Sequence, residues 1–115
     1  MDNDNKTSRF WDNYIAKTIS YRVKPTVITW YVKRCEEYIK ANSDTKLKYH
    51  TSAFVEKYLS VKSRQKQLLD WQFAQIVDAL KILFLDIIRS EWAAEFDWEH
   101  WHEINGVIIN GVRSL

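Results

Sequence analysis

Glycine, proline and cysteine are nearly missing from this chain: two Gly, one Pro and one Cys in 115 residues. Both glycines, Gly106 and Gly111, stand in the last stretch, so tight hairpin turns have no glycine to build on and a sheet protein is disfavoured against a helical one. The lone Cys35 has no partner for an internal disulfide, and no apolar segment follows a basic start as a secretory leader would. A reduced, cytoplasmic setting is expected. Long apolar runs are missing too, the central one being bounded by Lys81 and Asp86, far short of the roughly 20 residues of a membrane span. No membrane partner is expected, and no internal repeat or low-complexity segment is present. Rings are plentiful instead: six Trp, six Tyr and five Phe supply the core of a single domain.

The organising stretch is Leu68 to Ile88. Leu69, Phe73, Ile76, Val77, Leu80, Leu83, Phe84, Ile87 and Ile88 recur at helical spacing and gather on one face. Ile82 and Leu85 add apolar side chains on other sides, which predicts a C-terminal half surrounded by neighbouring helices. The N-terminal half presents Asp70, Gln72 and Gln75 opposite the apolar stripe.

The remaining elements follow in order. Residues 1–8 are short and polar and predict a disordered arm. From Arg9, Phe10, Trp11, Tyr14, Ile15, Thr18 and Ile19 mark a first helix ending near Tyr21, with Ser8 as a candidate cap. Pro25 opens a second helix, where a missing amide costs nothing. Ile28, Tyr31, Val32, Cys35, Tyr38 and Ile39 form its buried face, with Trp30 and Arg34 at the border. Ala41 to His50 reads as a turn, Thr51 as the cap of a third, shorter helix burying Phe54, Val55, Tyr58 and Leu59. Past Ile88 comes an acidic segment with Trp92, Phe96, Trp98 and Trp101. Its expected form is a short helix or turn laying its rings on the bundle. Residues 102–115 are expected to be a tail or linker. The fold class is thus all-α, a single-domain bundle of four to five helices over residues 9–101.

Charge is unevenly placed. Lys6 to Lys66 holds 14 Lys and Arg against 5 Asp and Glu, while Gln67 to Leu115 holds 3 against 8. Such asymmetry points to a polyanionic partner, the other reading being charges that merely solvate outer helix faces. From Lys57 to Leu69 there is no acid but four bases, Lys57, Lys62, Arg64 and Lys66. This connector runs into the N-terminus of the central helix, whose free amides and dipole would add to a site for phosphate.

Phe10-Trp11-Asp12-Asn13-Tyr14, Trp30-Tyr31-Val32-Lys33 and above all the run from Asp70 to Phe84, DWQFAQIVDALKILF, resemble the N-terminal core-binding domain of tyrosine recombinases, the phage, Xer-like and integron-type integrases. Trp92-Ala93-Ala94-Glu95-Phe96-Asp97-Trp98 continues the likeness. It covers about residues 9 to 101. The resemblance implies a SAM-like helical bundle forming half of a clamp on double-stranded DNA during integration and recombination, with the second and fourth helices toward the major groove. A separate catalytic domain of the parent recombinase and neighbouring protomers would be its protein partners. By position, the DNA-contact candidates are Thr26, Thr29 and Lys33 of the second helix, and Lys62, Arg64, Lys66, Gln72 and Gln75 leading into and beginning the fourth. Lys and Arg would meet phosphates, while Thr29, Gln72 and Gln75 would reach base edges.

The catalytic half of that family needs a Tyr nucleophile among Arg, Lys and a His-x-x-Arg pair. None of His50, His100 or His102 has Arg three residues on, and beyond Phe96 there is one Arg and no Tyr. The chain is therefore expected to bind without cutting, as an excised fragment or a truncated product, with no cofactor, metal or small-molecule substrate. His100 and His102 are two apart and diverge on a helix, which disfavours a metal site. Cys35 reads as a buried small hydrophobe. The alternative function is a helical protein-interaction module docking through the acidic, Trp-bearing segment.

Overall fold

The computed structural model describes residues 2–103, with side chains from residue 6, and is all-α: among the described residues there is no strand. The elements are α1 (Asp2–Ser20), α2 (Pro25–Ala41), α3 (Ser52–Ser63) and α4 (Asp70–Ile82). A single 3-10 turn (Leu47–Tyr49) precedes α3, α4 widens without a break into a π-helical stretch (Leu83–Ile88), a second 3-10 turn follows (Glu91–Ala94), and residues 98–103 are helical as α5.

Several local expectations shift. Helix α1 starts at Asp2 rather than Arg9, so an arm over residues 1–8 is not what the backbone adopts from Asp2 onward, and Ser8 is an exposed residue within the helix, not its cap. Thr51 does occupy the N-cap of α3 but makes no side-chain capping bond. Ile19 is exposed and Thr18, one residue back, is the buried neighbour. The helix at residues 98–103 carries regular structure past the expected limit at Trp101; the rest of the expected tail, 104–115, lies outside the described residues.

The scarcity of glycine leaves its mark at two helix ends. Arg22 (φ 64°) and Arg89 (φ 59°) both take the left-handed conformation that glycine usually supplies. At Arg22 the termination is a Schellman motif, with Val23 N–H donating to Thr18 C=O at 3.1 Å and Arg22 N–H to Ile19 C=O at 2.8 Å. Each arginine carries a steric cost of roughly 1–2 kcal/mol that a glycine would avoid. The gain is that α1 reverses tightly into α2, and the π-helical stretch into the Trp-rich segment.

The core forms around α4. Phe73, Val77, Ala79, Leu80, Leu83 and Phe84 are fully buried, and they meet Tyr14, Cys35, Tyr38, Val55 and Leu59 from the three other long helices. Small Ala79 lets two helices approach its backbone: its carbonyl accepts from Tyr14 Oη at 2.9 Å and from Cys35 Sγ at 3.4 Å. Burial in these surroundings pushes the Cys35 thiol up to about 12, so it is an inert packing group. Burial likewise raises the Tyr14 phenol well above its ordinary value. Tyr14→Phe is expected to cost about 0.5–1.5 kcal/mol in urea unfolding, the net worth of one buried hydrogen bond, since Cys35 still satisfies the acceptor.

A second aromatic knot closes the other side. His50, the last residue of the expected turn, is buried, bonded to Tyr38 Oη at 2.7 Å and Thr45 C=O at 2.9 Å, and stacked on Phe54 with centroids 4.3 Å apart. Trp92 donates its indole N–H to His50 C=O at 2.9 Å and Trp98 donates to Ala93 C=O at 2.9 Å. The Trp-bearing segment therefore lays its rings inward, as expected, and those two indoles are spent on the bundle. No helix among the described residues is long and apolar enough to cross a membrane.

Candidate nucleic-acid interface

Helix α2 exposes Thr26, Thr29 and Lys33, as its polar face predicts. Thr29 and Lys33 are one turn apart and share a side. Lys33 Nζ lies 5.5 Å from the Trp30 ring centroid, and Arg34 Cζ 5.7 Å from the same ring. Trp30 is half exposed, so two cations flank an open indole face.

Arg34 is the residue that joins α2 to α4. Its Nε donates to Gln75 Oε1 at 3.0 Å, and its NH1 lies 3.8 Å from Glu37 Oε1, with only 11 % of the Arg34 side chain exposed. The expectation for Gln75 is corrected by this bond: Gln75 is 9 % exposed and its carbonyl is committed to Arg34, so it is no free reader of base edges. A helical wheel places Gln75 opposite the apolar stripe, but α2 crosses α4 at that point and covers it.

Gln72 is half-buried, and its Oε1 accepts from Leu69 N–H at 2.8 Å, half of a capping box in which Leu69 has no acceptor to return. Only the Gln72 amide nitrogen is left for another partner. Leu69 itself, counted on the apolar face, is the N-cap and is 55 % exposed, since the chain turns away there. With the Leu69 amide taken and Asp70 in the first turn, the N-terminus of α4 is a weaker phosphate site than the sequence implies.

The connector keeps its expected character. Arg64, Gln65, Lys66 and Gln67 are exposed, and Lys62, at the end of α3, is half-buried with Nζ 5.4 Å from the Tyr58 ring centroid. Among the described residues none of Lys33, Lys62, Arg64 and Lys66 pairs with a carboxylate. Lys62 and Gln65 share an open concavity with Ala41, Asn42, Asp44, Thr45, Lys57 and Tyr58, at the C-terminal end of α2.

That placement separates two groups which sequence position alone would pool. Thr26 lies in the first turn of α2 and the connector borders its last, about 20 Å away at 1.5 Å per residue. Six of the eight candidates thus form two stations rather than one cluster, Thr26, Thr29 and Lys33 along α2 and Lys62, Arg64 and Lys66 at its far end, while Gln72 and Gln75 are held by Leu69 and Arg34. Trp30 stands within the first station, and Arg34 just past it. Sequence reasoning left both at the border of the buried face, though Trp30, Lys33 and Arg34 at i, i+3 and i+4 is the spacing that stacks cations on a ring.

One turn along the α2–α4 seam from the Arg34–Gln75 bond stands a carboxylate. Asp78 Oδ2 accepts from Tyr31 Oη at 3.5 Å and lies 3.3 Å from His102 Nε2, tying α2, α4 and α5. Burial, with Asp78 beside it, pushes the Tyr31 phenol up to about 12. Tyr21 Oη donates to Asp86 Oδ2 at 2.8 Å, a bond that raises the Tyr21 phenol. His100 and His102 join no group of three or more candidate metal ligands among the described residues.

No protein-family model, curated protein or solved structure matches this chain.

Proposed function

We propose that the chain is a non-catalytic, duplex-DNA-binding module of a site-specific tyrosine recombinase, one half of a clamp whose other half is the catalytic domain of the parent protein. The observation that carries the reading is the acid-free connector, whose Arg64 and Lys66 stand exposed and without a carboxylate partner among the described residues. An unpaired cation on a surface is free to replace the counterions of a phosphate. The likeness of the Asp70-to-Phe84 run to the core-binding domain, and the all-α bundle built on that run, support the same reading.

In this reading Lys33 contacts phosphate from the middle of α2 and Lys62, Arg64 and Lys66 from beyond its C-terminal end, and Thr26 and Thr29 lie toward the bases. Candidates spread over about 20 Å suit a partner that is itself extended, such as a duplex crossing the face of the bundle. Gln72 contributes at most its amide nitrogen and Gln75 acts through Arg34.

A mobility-shift titration against duplex DNA at low salt tests this. Affinity is expected to fall with salt at a log-log slope of about −0.9 per phosphate contacted, near −4 if all four cations engage. Absence of any shift on duplex DNA at 50 mM salt, a cognate core site included, overturns the reading.

A further inference from the structure

Two large indoles are left in solvent on the α2–α4 side of the bundle: Trp71 is 61 % exposed and Trp30 50 %. Tryptophans half or more exposed are uncommon, since each leaves much of a large apolar ring unburied, and all the chain's other described Trp rings are at least partly covered by the core. Both neighbour the Arg34–Gln75 bond. Trp30 stacks with Arg34, Arg34 bonds Gln75, and Trp71 sits one turn before Gln75 on the same edge of α4. Helical side chains lean toward the N-terminus, so Trp71 leans toward the connector that carries Arg64 and Lys66. The acids in this neighbourhood include Glu37, half-buried Asp70, and Asp78 one turn past Gln75; Glu37 is already paired with Arg34, and Asp78 lies against Tyr31 and His102.

We propose that Trp71 and Trp30 are a stacking surface for unpaired nucleobases, so that the chain holds single-stranded or locally unpaired DNA as well as duplex. The inference rests on the nucleic-acid reading above and adds a substrate class to it. Rings that face solvent beside unpaired cations satisfy both needs of a single strand: every base has a face to stack, and every nucleotide brings a phosphate to neutralise. A base laid on Trp71 buries the indole that folding leaves exposed. The sequence-independence of stacking means that any base suffices, and thymines, which self-stack little, give the cleanest probe.

The test compares binding of a fluorescein-labelled oligothymidine of about 20 nucleotides and of a duplex of the same length, at one salt concentration, to the parent chain, Trp71→Ala, Trp71→Phe and Trp30→Ala. The Trp71→Ala chain is expected to lose about ten- to a hundredfold in affinity for the single strand and less than about threefold for the duplex. Trp71→Phe, which keeps a ring, restores most of the loss, and Trp30→Ala loses less than Trp71→Ala because Arg34 and Lys33 partly cover that ring. Both sites are exposed, so an unchanged melting temperature accompanies each result. Binding of duplex with no binding of oligothymidine, or equal single-strand affinity for parent and Trp71→Ala, overturns this inference and leaves the duplex reading standing. Failure of the parent chain to bind either form overturns both.

Discussion

Phe84→Ala is expected to destabilise the protein by about 3–5 kcal/mol, the scale of a buried Phe truncation that leaves a cavity. The side chain is fully buried, with its ring 5.6 Å from Tyr38, 5.0 Å from Trp92 and 6.1 Å from His50 between centroids. It therefore ties α2, the end of the turn before α3 and the segment after α4 to one point, and three rigid rings have little freedom to collapse into the space. Domains of this size are stable by about 5–15 kcal/mol in all, so the variant is expected to unfold at far lower urea and to melt well below the parent. Urea unfolding followed by far-ultraviolet circular dichroism measures it. A loss under about 1 kcal/mol means that the ring knot around Phe84 is not part of the packed core.

The double reversal Arg64→Glu, Lys66→Glu has the largest expected effect on binding. Two unpaired, exposed cations become anions within a stretch that otherwise holds no acid from Lys57 to Leu69. Duplex affinity at low salt is expected to drop at least about a hundredfold, and the salt slope to become shallower by about 2, one unit for each lost phosphate contact. Melting temperature is expected to stay within the range of surface substitutions, because neither side chain has a hydrogen-bond or ion-pair partner among the described residues. Unchanged duplex affinity in this variant removes the connector from the interface and with it the observation on which the functional reading stands. Phe84→Ala weakens the bundle itself, whereas the double reversal leaves the bundle and strips its charge.

Elements were legible in the sequence to the extent that their cause is local. The α-helical period read from Leu68 to Ile88 holds over Asp70–Ile82 and passes into π-helix from Leu83, while Pro25 at the start of α2 and the inward set Val55 and Leu59 of α3 follow from spacing and backbone chemistry, and the structure carries them as read. So does the exposure of Arg64 and Lys66, which needs only a polar stretch between two helices. The start of α1 at Asp2 was not legible, because a run of polar residues has no apolar period to announce a helix.

Where two helices meet was decided by the tertiary structure alone. Gln75 has the wheel position of a solvent-facing residue and is covered because α2 crosses there and brings Arg34 to 3.0 Å. His50 looks like the end of a turn and becomes a core residue because Tyr38, Phe54 and Trp92 converge on it from three parts of the chain. Thr26 lies in the first turn of α2 while Lys62 and the connector border its last, a separation that their common candidacy for DNA contact does not reveal. The sequence by itself determined which stretches coil and which carry positive charge, since period and composition are properties of neighbours along the chain. Crossing points and the pairing of polar side chains at them depend on residues 40 or more positions apart, such as Arg34 and Gln75, and only packing brings those together.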